Sequence, residues 1–260
     1  MRGPLLEVQE LSRRFGGLMA VNRVSLAVQG GEIFGLIGPN GAGKTTLFNL
    51  ISGLTPASGG RVLWRGAAIT DLAPHRRNRL GLARTFQNLR LFEGLSVLEN
   101  VLVVLQGRGH DRPWIGGLVN TTSHRRAERE RLETAWQLLQ ELALDGLAER
   151  QAGTLAYGDR RRLEMARALA TQPALLLLDE PAAGLNPAEK EQLCGLIQAL
   201  RQRHQLTVMI IEHHVPLLMR LCDRIAVLDF GVRIALGTPE QVRRDPAVIE
   251  AYLGSGSRQP

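Results

Sequence analysis

The segment Gly38-Pro-Asn-Gly-Ala-Gly43-Lys44-Thr45-Thr46 constrains this 260-residue chain more than any other. It fits the pattern G-x-x-x-x-G-K-[ST], placed after the apolar run Ile33–Ile37 and before a helix expected from Gly43 to about Ser52. That strand–loop–helix setting is the one the pattern requires. Glycines let consecutive backbone N–H groups turn inward around phosphate oxygens. The helix N-terminus adds a partial positive charge. Lys44 brings a compact ammonium to the β- and γ-phosphates, and the Thr45 hydroxyl suits Mg²⁺. Gly38, Pro39, Asn40, Gly41, Ala42, Gly43, Lys44, Thr45 and Thr46 are therefore the expected phosphate cradle. ATP with Mg²⁺ is the expected ligand.

A second run supplies the carboxylates. Leu175-Leu-Leu-Leu178-Asp179-Glu180 reads as a buried strand that delivers acids to its C-terminal end, where α/β sheets bind ligands. Asp179 is placed to hold the Mg²⁺ shell. Glu180 is placed to orient and deprotonate the attacking water.

The order of elements sets the fold class. Leu5–Val8, Val24–Val28, Ile33–Ile37 and Arg61–Trp64 read as strands between Gly-rich turns. Val97–Leu105 has helical spacing, and Gly107–Thr122 reads as a loop or irregular insertion. His124–Leu144 reads as an amphipathic helix with Leu132, Trp136, Leu139 and Leu142 on one face. Strand–helix alternation then returns: Leu175–Leu178, helix Pro187–Arg203, strand Thr207–Ile211, helix Val215–Leu221, strand Ile225–Leu228. This predicts an α/β core over residues 1–87 and 161–260 with a helical subdomain inserted at about 88–160.

Composition narrows the setting. Cys194 and Cys222 are the only cysteines and have no metal-ligand or disulfide-framework spacing, so a cytoplasmic location is expected. Met1–Glu10 has no signal-peptide core, and runs such as Ala174–Leu178 fall far short of the ~20 residues of a membrane span. The net charge of +7 is almost all arginine, the only lysines being Lys44 and Lys190. Clusters at Arg76–Arg79, Arg125–Arg131 and Arg160–Arg162 read as a solvated, arginine-biased surface. A nucleic-acid face is the competing reading.

Between the loop and the acidic strand stands Leu155-Ala156-Tyr157-Gly158-Asp159, followed by a helix beginning at Arg160. It resembles the signature motif of ATP-binding-cassette (ABC) ATPases. The resemblance implies a P-loop cassette: a mostly parallel core sheet, an N-terminal antiparallel β subdomain and an inserted helical subdomain. It implies that two cassettes pair head to tail, the signature of one closing over the γ-phosphate held by the other. It assigns Gln87 of Arg84-Thr-Phe-Gln87 to a glutamine loop that senses Mg²⁺ and faces a transmembrane partner. Phe15 takes the place of the aromatic residue that stacks on adenine, and His213 that of the switch histidine at the γ-phosphate.

The resemblance extends to one family within these. Phe15–Val21, Arg84–Phe92, Leu155–Asp159, Asp179–Pro187 and the tail from Gly237 to Gly254 are similar to the ATP-binding subunit of bacterial high-affinity branched-chain amino acid importers. This implies a cytoplasmic subunit, peripheral on the membrane, that pairs with a second related ATPase and two membrane permeases. An extracytoplasmic binding protein would deliver leucine, isoleucine or valine. The same machine with another cargo is the near alternative. A soluble ABC ATPase on DNA or ribosomes is a further one, although this chain has neither a second cassette nor long heptads.

Four positions depart from the common ABC pattern. Ala156 and Tyr157 replace a serine and a glycine of the usual signature, Asn186 stands where Asp is usual, and His214 follows the switch histidine in place of an acid. The importer family accounts for the first two. The ATP site that borrows this signature is expected to be weaker than the one built on Lys44, Asp179, Glu180 and His213, unless the Tyr157 hydroxyl donates in place of the serine.

Overall fold

The computed structural model describes residues 3–87, 89–107 and 122–254. In chain order the elements are β1 (Leu6–Phe15), β2 (Leu18–Val28), β3 (Ile33–Ile37), α1 (Lys44–Ser52), β4 (Gly59–Trp64), β5 (Ala67–Ala68), α2 (Pro74–Arg79) and β6 (Leu82–Arg84). Next come the helices α3 (Val97–Gly107), α4 (Thr122–Glu141) and α5 (Tyr157–Ala170). The chain continues as β7 (Leu175–Asp179), α6 (Pro187–His204), β8 (Thr207–Ile211), α7 (Val215–Leu221), β9 (Arg224–Asp229), β10 (Val232–Gly237), α8 (Pro239–Arg244) and α9 (Pro246–Gly254). Two compact units divide it: residues 1–84 with 174–260, and residues 85–173.

The first unit holds an antiparallel sheet, β2-β1-β4-β5, and a six-stranded sheet ordered β10-β9-β3-β8-β7-β6. In the second sheet all strands are parallel except β10, which pairs antiparallel with β9. Leu175–Leu178 are buried, as a continuous apolar run must be when a parallel strand is covered on both faces. Register fixes where the functional groups emerge. Ile211 pairs with both Leu36 and Asp179, so the carboxyl ends of β3, β8 and β7 lie level. Ligands bind α/β sheets beyond such ends.

The β1–β2 hairpin is longer than the sequence pattern predicts. Phe15 pairs with Leu18 across Gly16-Gly17, and Gly16 has φ 56°, which glycine adopts without steric cost. One apolar cluster joins Leu6, Val8, Val24 and Trp64 of the first sheet to Phe34, Met209, Leu47 and Phe48. Burying Phe48 alone contributes about 1.5–3 kcal/mol. The C-terminal carbonyls of α1 are buried and need donors. Arg77 supplies them, its Nη1 donating to the Leu50 and Ile51 oxygens and its Nε to the Leu72 oxygen.

In the second unit α3, α4 and α5 pack together through Val97, Val101, Ala135, Leu139, Leu142, Leu163 and Ala166, all buried. The inward face of α4 differs from the predicted stripe. Leu139 and Leu142 point inward, but Ala135 and Leu138 join them while Leu132 is exposed. Hydrophobicity alone ranks leucine above alanine, whereas close helix packing rewards the small residue. Asn100 is fully buried and satisfied: Oδ1 accepts from the Phe92 amide, and Nδ2 donates to the Phe92 and Ser96 oxygens. The expected insertion over 107–122 lies outside the described residues apart from its two ends.

Candidate active site

The loop between β3 and α1 is built by close backbone approach. A Cβ on Gly43, at φ 94°, would stand 2.3 Å from the Ala20 oxygen, and one on Gly38 would stand 2.1 Å from the Leu228 oxygen. No side chain fits at either place. The loop is pinned from outside as well, the Gly231 amide donating to the Ala42 oxygen at 3.0 Å. The Gly38 amide bonds to the hydroxyl of Tyr252 on α9, and burial pushes that phenol above its usual range. At Gly41 nothing lies within 4 Å of a Cβ position, so this part of the loop faces open space.

Lys44 opens α1 and is buried. Its Nζ donates to the Gly38 oxygen at 2.7 Å and the Pro39 oxygen at 2.8 Å. Burial pushes the ammonium below the ordinary lysine range, and the field of Glu180 opposes that shift. A buried cation held by loop carbonyls, at a helix start with open space beside it, fits a polyphosphate. Thr45 follows, exposed, with Thr46 partly buried.

Asp179 ends β7 with 2% of its side chain exposed, and its Oδ2 accepts from Arg84 Nη2 at 2.7 Å. Arg84 ends β6, and its Nη1 donates to Asn49 Oδ1 and Ser52 Oγ on α1. The acidic strand and the phosphate-loop helix are thus joined by one guanidinium. In the sequence nothing but its place in the Arg84-Thr-Phe-Gln87 run marks Arg84 for this role.

Glu180 has φ 50°, a left-handed conformation that costs a side-chain-bearing residue of order 1–3 kcal/mol. Its amide donates to the Ile211 oxygen, and its Oε1 lies 2.8 Å from Nε2 of His213. A carboxylate accepts only, so His213 donates from Nε2. Glu212, buried beside them, accepts from the Ala182 amide and from the His213 amide, which fixes the turn carrying the histidine. The arrangement places a carboxylate, oriented by a histidine, at the level strand ends next to the lysine. Such a group can take a proton from water.

Among the described residues no cluster of three or more His, Cys, Asp or Glu could hold a metal by itself. Mg²⁺ needs none, since it is bound by one or two carboxylates, waters and phosphate oxygens. Asp179 and the Thr45 hydroxyl are the side chains here that could supply the protein's share of that donor set. Phe15 is 46% exposed at the end of β1, with the Arg13 guanidinium 4.5 Å from its ring centroid, so one ring face is covered.

The model of the family described as ABC transporter matches residues 21–183. The chain belongs to the ABC transporter ATP-binding proteins. It is therefore an ATPase. The C-terminal residues 232–257 match a second family, described as branched-chain amino acid ATP-binding cassette transporter. The high-affinity branched-chain amino acid transport ATP-binding protein BraF of Pseudomonas aeruginosa is 49% identical, covering 98% of this chain and 99% of its own. LivG of Escherichia coli K12, named for the same transport, has the same identity and coverage. Among solved structures, a nucleotide-free ATP-binding cassette from an ABC transporter has TM-score 0.82 and 32% identity, covering 96% of this chain and 98% of its own. A cassette in its ADP conformation has TM-score 0.82 and 30% identity, covering 96% and 99%.

The segment Leu155–Asp159, expected from the sequence to be the signature, lies at the start of α5. Leu155 is buried, and Ala156 is the N-cap with no side-chain hydrogen bond. A serine there would give the helix an oxygen for its orphan amides, an exchange worth ~1 kcal/mol. Tyr157 is 44% exposed, but its hydroxyl accepts from Arg161 Nη2 at 2.7 Å and Nε at 3.1 Å. Gly158 is partly buried, and Asp159 pairs with Arg162. The exposed Gln87 lies in this same unit, its backbone oxygen held by Arg161.

Asn186 caps α6 through a reciprocal bond pair with Glu189, and Asn and Asp serve that purpose about equally. His214 is the exposed N-cap of α7 and makes no cap bond with its ring.

Proposed function

We propose that the chain energises an importer for leucine, isoleucine and valine by binding Mg-ATP on Gly38–Thr46 and hydrolysing it with Glu180. The observation that carries the cargo is the C-terminal match over residues 232–257 to the branched-chain amino acid family, with 49% identity to BraF over nearly the full length of both chains. The lipopolysaccharide export protein LptB of Haemophilus influenzae stands further off, at 36%.

In this reading the Gly38–Thr46 amides and Lys44 hold the β- and γ-phosphates, Phe15 stacks on adenine, and Thr45, Asp179 and Gln87 share the Mg²⁺. The metal, when bound, neutralises charge on the phosphates. Glu180 accepts the proton of the attacking water, and His213 orients Glu180 and meets the γ-phosphate. Leu155–Asp159 contact the nucleotide held by a second, related ATPase subunit. Attachment to the membrane runs through two permeases, fed by an extracytoplasmic binding protein; among the described residues no helix is itself long and apolar enough to cross a membrane. Nucleic acid is not a partner.

Reconstitution of the complex in proteoliposomes tests the cargo. ATP inside should drive uptake of labelled leucine, isoleucine and valine, and binding protein loaded with leucine should stimulate phosphate release. Stimulation by an unrelated cargo with no response to these three amino acids would contradict the proposal.

A further inference from the structure

Arg161 is spent entirely inside its own unit. Its Nη1 donates to the Phe86 oxygen and its Nη2 to the Gln87 oxygen, each at 3.0 Å. Nη2 and Nε both donate to the Tyr157 hydroxyl, and the guanidinium carbon lies 5.3 Å from the tyrosine ring centroid. Glu164 completes the set: its Oε1 accepts from the Phe86 amide at 2.9 Å, and its Oε2 lies 3.7 Å from Arg161 Nη1. Both guanidinium and carboxylate are more than nine-tenths buried. Residues 157, 161 and 164 share one face of α5, as i, i+4 and i+3 spacing dictates. The planar fork of arginine is what allows two carbonyls and a hydroxyl to be held at once.

We propose that Arg161 is the positioning residue for Gln87, and that the Tyr157 hydroxyl is the anchor that orients Arg161. This rests on the proposed role of Gln87 as the residue that reads the nucleotide. Phe86 is fixed at both its N–H and its C=O, so the glutamine loop cannot shift without carrying the first turn of α5 with it. On the other side of Thr85 the chain is fixed again, by the bonds of Arg84 to Asp179, Asn49 and Ser52. A displacement at Gln87 is therefore passed to the signature turn through hydrogen bonds rather than absorbed by a slack loop. Tyr157 then acts on hydrolysis through Arg161 and its own chain's glutamine loop. It does not act as a substitute donor to a phosphate held by the second ATPase.

The two roles for Tyr157 are separated by a double-mutant cycle in the assembled transporter, with kcat and KM for Mg-ATP measured for Tyr157→Phe, Arg161→Met and the double variant, and with ATP affinity and thermal stability measured on each full chain. We expect Arg161→Met to lower kcat about tenfold and Tyr157→Phe roughly threefold, with KM and ATP affinity unchanged within about twofold. The double variant should match Arg161→Met, because the hydroxyl has no route except the guanidinium. Should Arg161→Met fail to fold, Arg161→Lys, which keeps a charge beside Glu164 but not the fork, replaces it in the cycle with the same outcome expected. Losses that multiply would show Tyr157 acting directly and overturn the proposal. So would variants with wild-type kcat. A wild-type complex that releases no phosphate from ATP would instead remove the nucleotide reading itself.

Discussion

Arg84 Nη2 lies 2.7 Å from Asp179 Oδ2, both side chains almost fully buried, and the same guanidinium holds Asn49 and Ser52 on the phosphate-loop helix. Breaking a buried pair by removing one partner leaves an uncompensated charge and costs about 3–5 kcal/mol. Arg84→Met should therefore destabilise the chain by that order, read as a fall in Tm of roughly 2–4 °C per kcal/mol. A Tm within a degree of wild type would show that Asp179 is otherwise satisfied.

Lys44→Ala should abolish productive ATP binding in a titration, because a methyl group cannot neutralise the β- and γ-phosphates. The ammonium also sets a pH dependence. Burial depresses its folded-state pKa below the ordinary 10.5, so the unfolded chain holds the proton to higher pH. Stability of the ATP-free chain then rises with pH between the folded value and 10.5, provided that other groups are subtracted through the Lys44→Met variant. ATP affinity moves the opposite way and falls as Lys44 loses its charge. Affinity independent of pH up to 10.5 would contradict this.

The turn after β7 stores strain at Glu180, whose φ of 50° suits glycine. Glu180→Gly should leave the ATP-free chain as stable as wild type or up to about 1–3 kcal/mol more so, with hydrolysis lost. Denaturant unfolding reads the first effect and phosphate release the second. A marked loss of stability would mean that the His213 contact outweighs the backbone cost.

Much of this architecture was legible in the sequence because local signals and tertiary role coincide. Ile33–Ile37, Thr207–Ile211 and Val215–Leu221 begin and end where the pattern places them, since buried parallel strands and a Pro-started helix carry their own boundaries. β6 escaped because three residues, Leu82–Arg84, carry no periodicity, although they deliver Arg84 to Asp179. α8 escaped although Thr238 and Gln241 form a capping box, a spacing that was open to reading. The hold of Arg77 on α1, of Tyr252 on Gly38 and of Arg161 on Gln87 could not be read, because each joins groups far apart in the chain. The arginine clusters lose their ambiguity in part: Arg77, Arg160, Arg161 and Arg162 are engaged within the protein, not offered to a polyanion.

Ala156→Ser should cap α5 and raise stability by ~1 kcal/mol. The two ATP sites of the working pair should also be unequal, since this signature lacks the serine hydroxyl and turns that of Tyr157 toward Arg161. Disabling the catalytic glutamate of each ATPase subunit in turn should cost more when Glu180 is the residue changed. Equal losses would show that the altered signature is no handicap.

The central claim is that Glu180 takes the proton from water at the ATP held by this chain, and Glu180→Gln in the assembled transporter tests it most directly. The amide keeps shape and hydrogen bonding but cannot accept the proton, so phosphate release should fall on the order of 10²–10⁴-fold. ATP affinity should stay at the wild-type value, and leucine uptake should stop with hydrolysis. Hydrolysis within a few-fold of wild type in the Glu180→Gln complex would contradict the account.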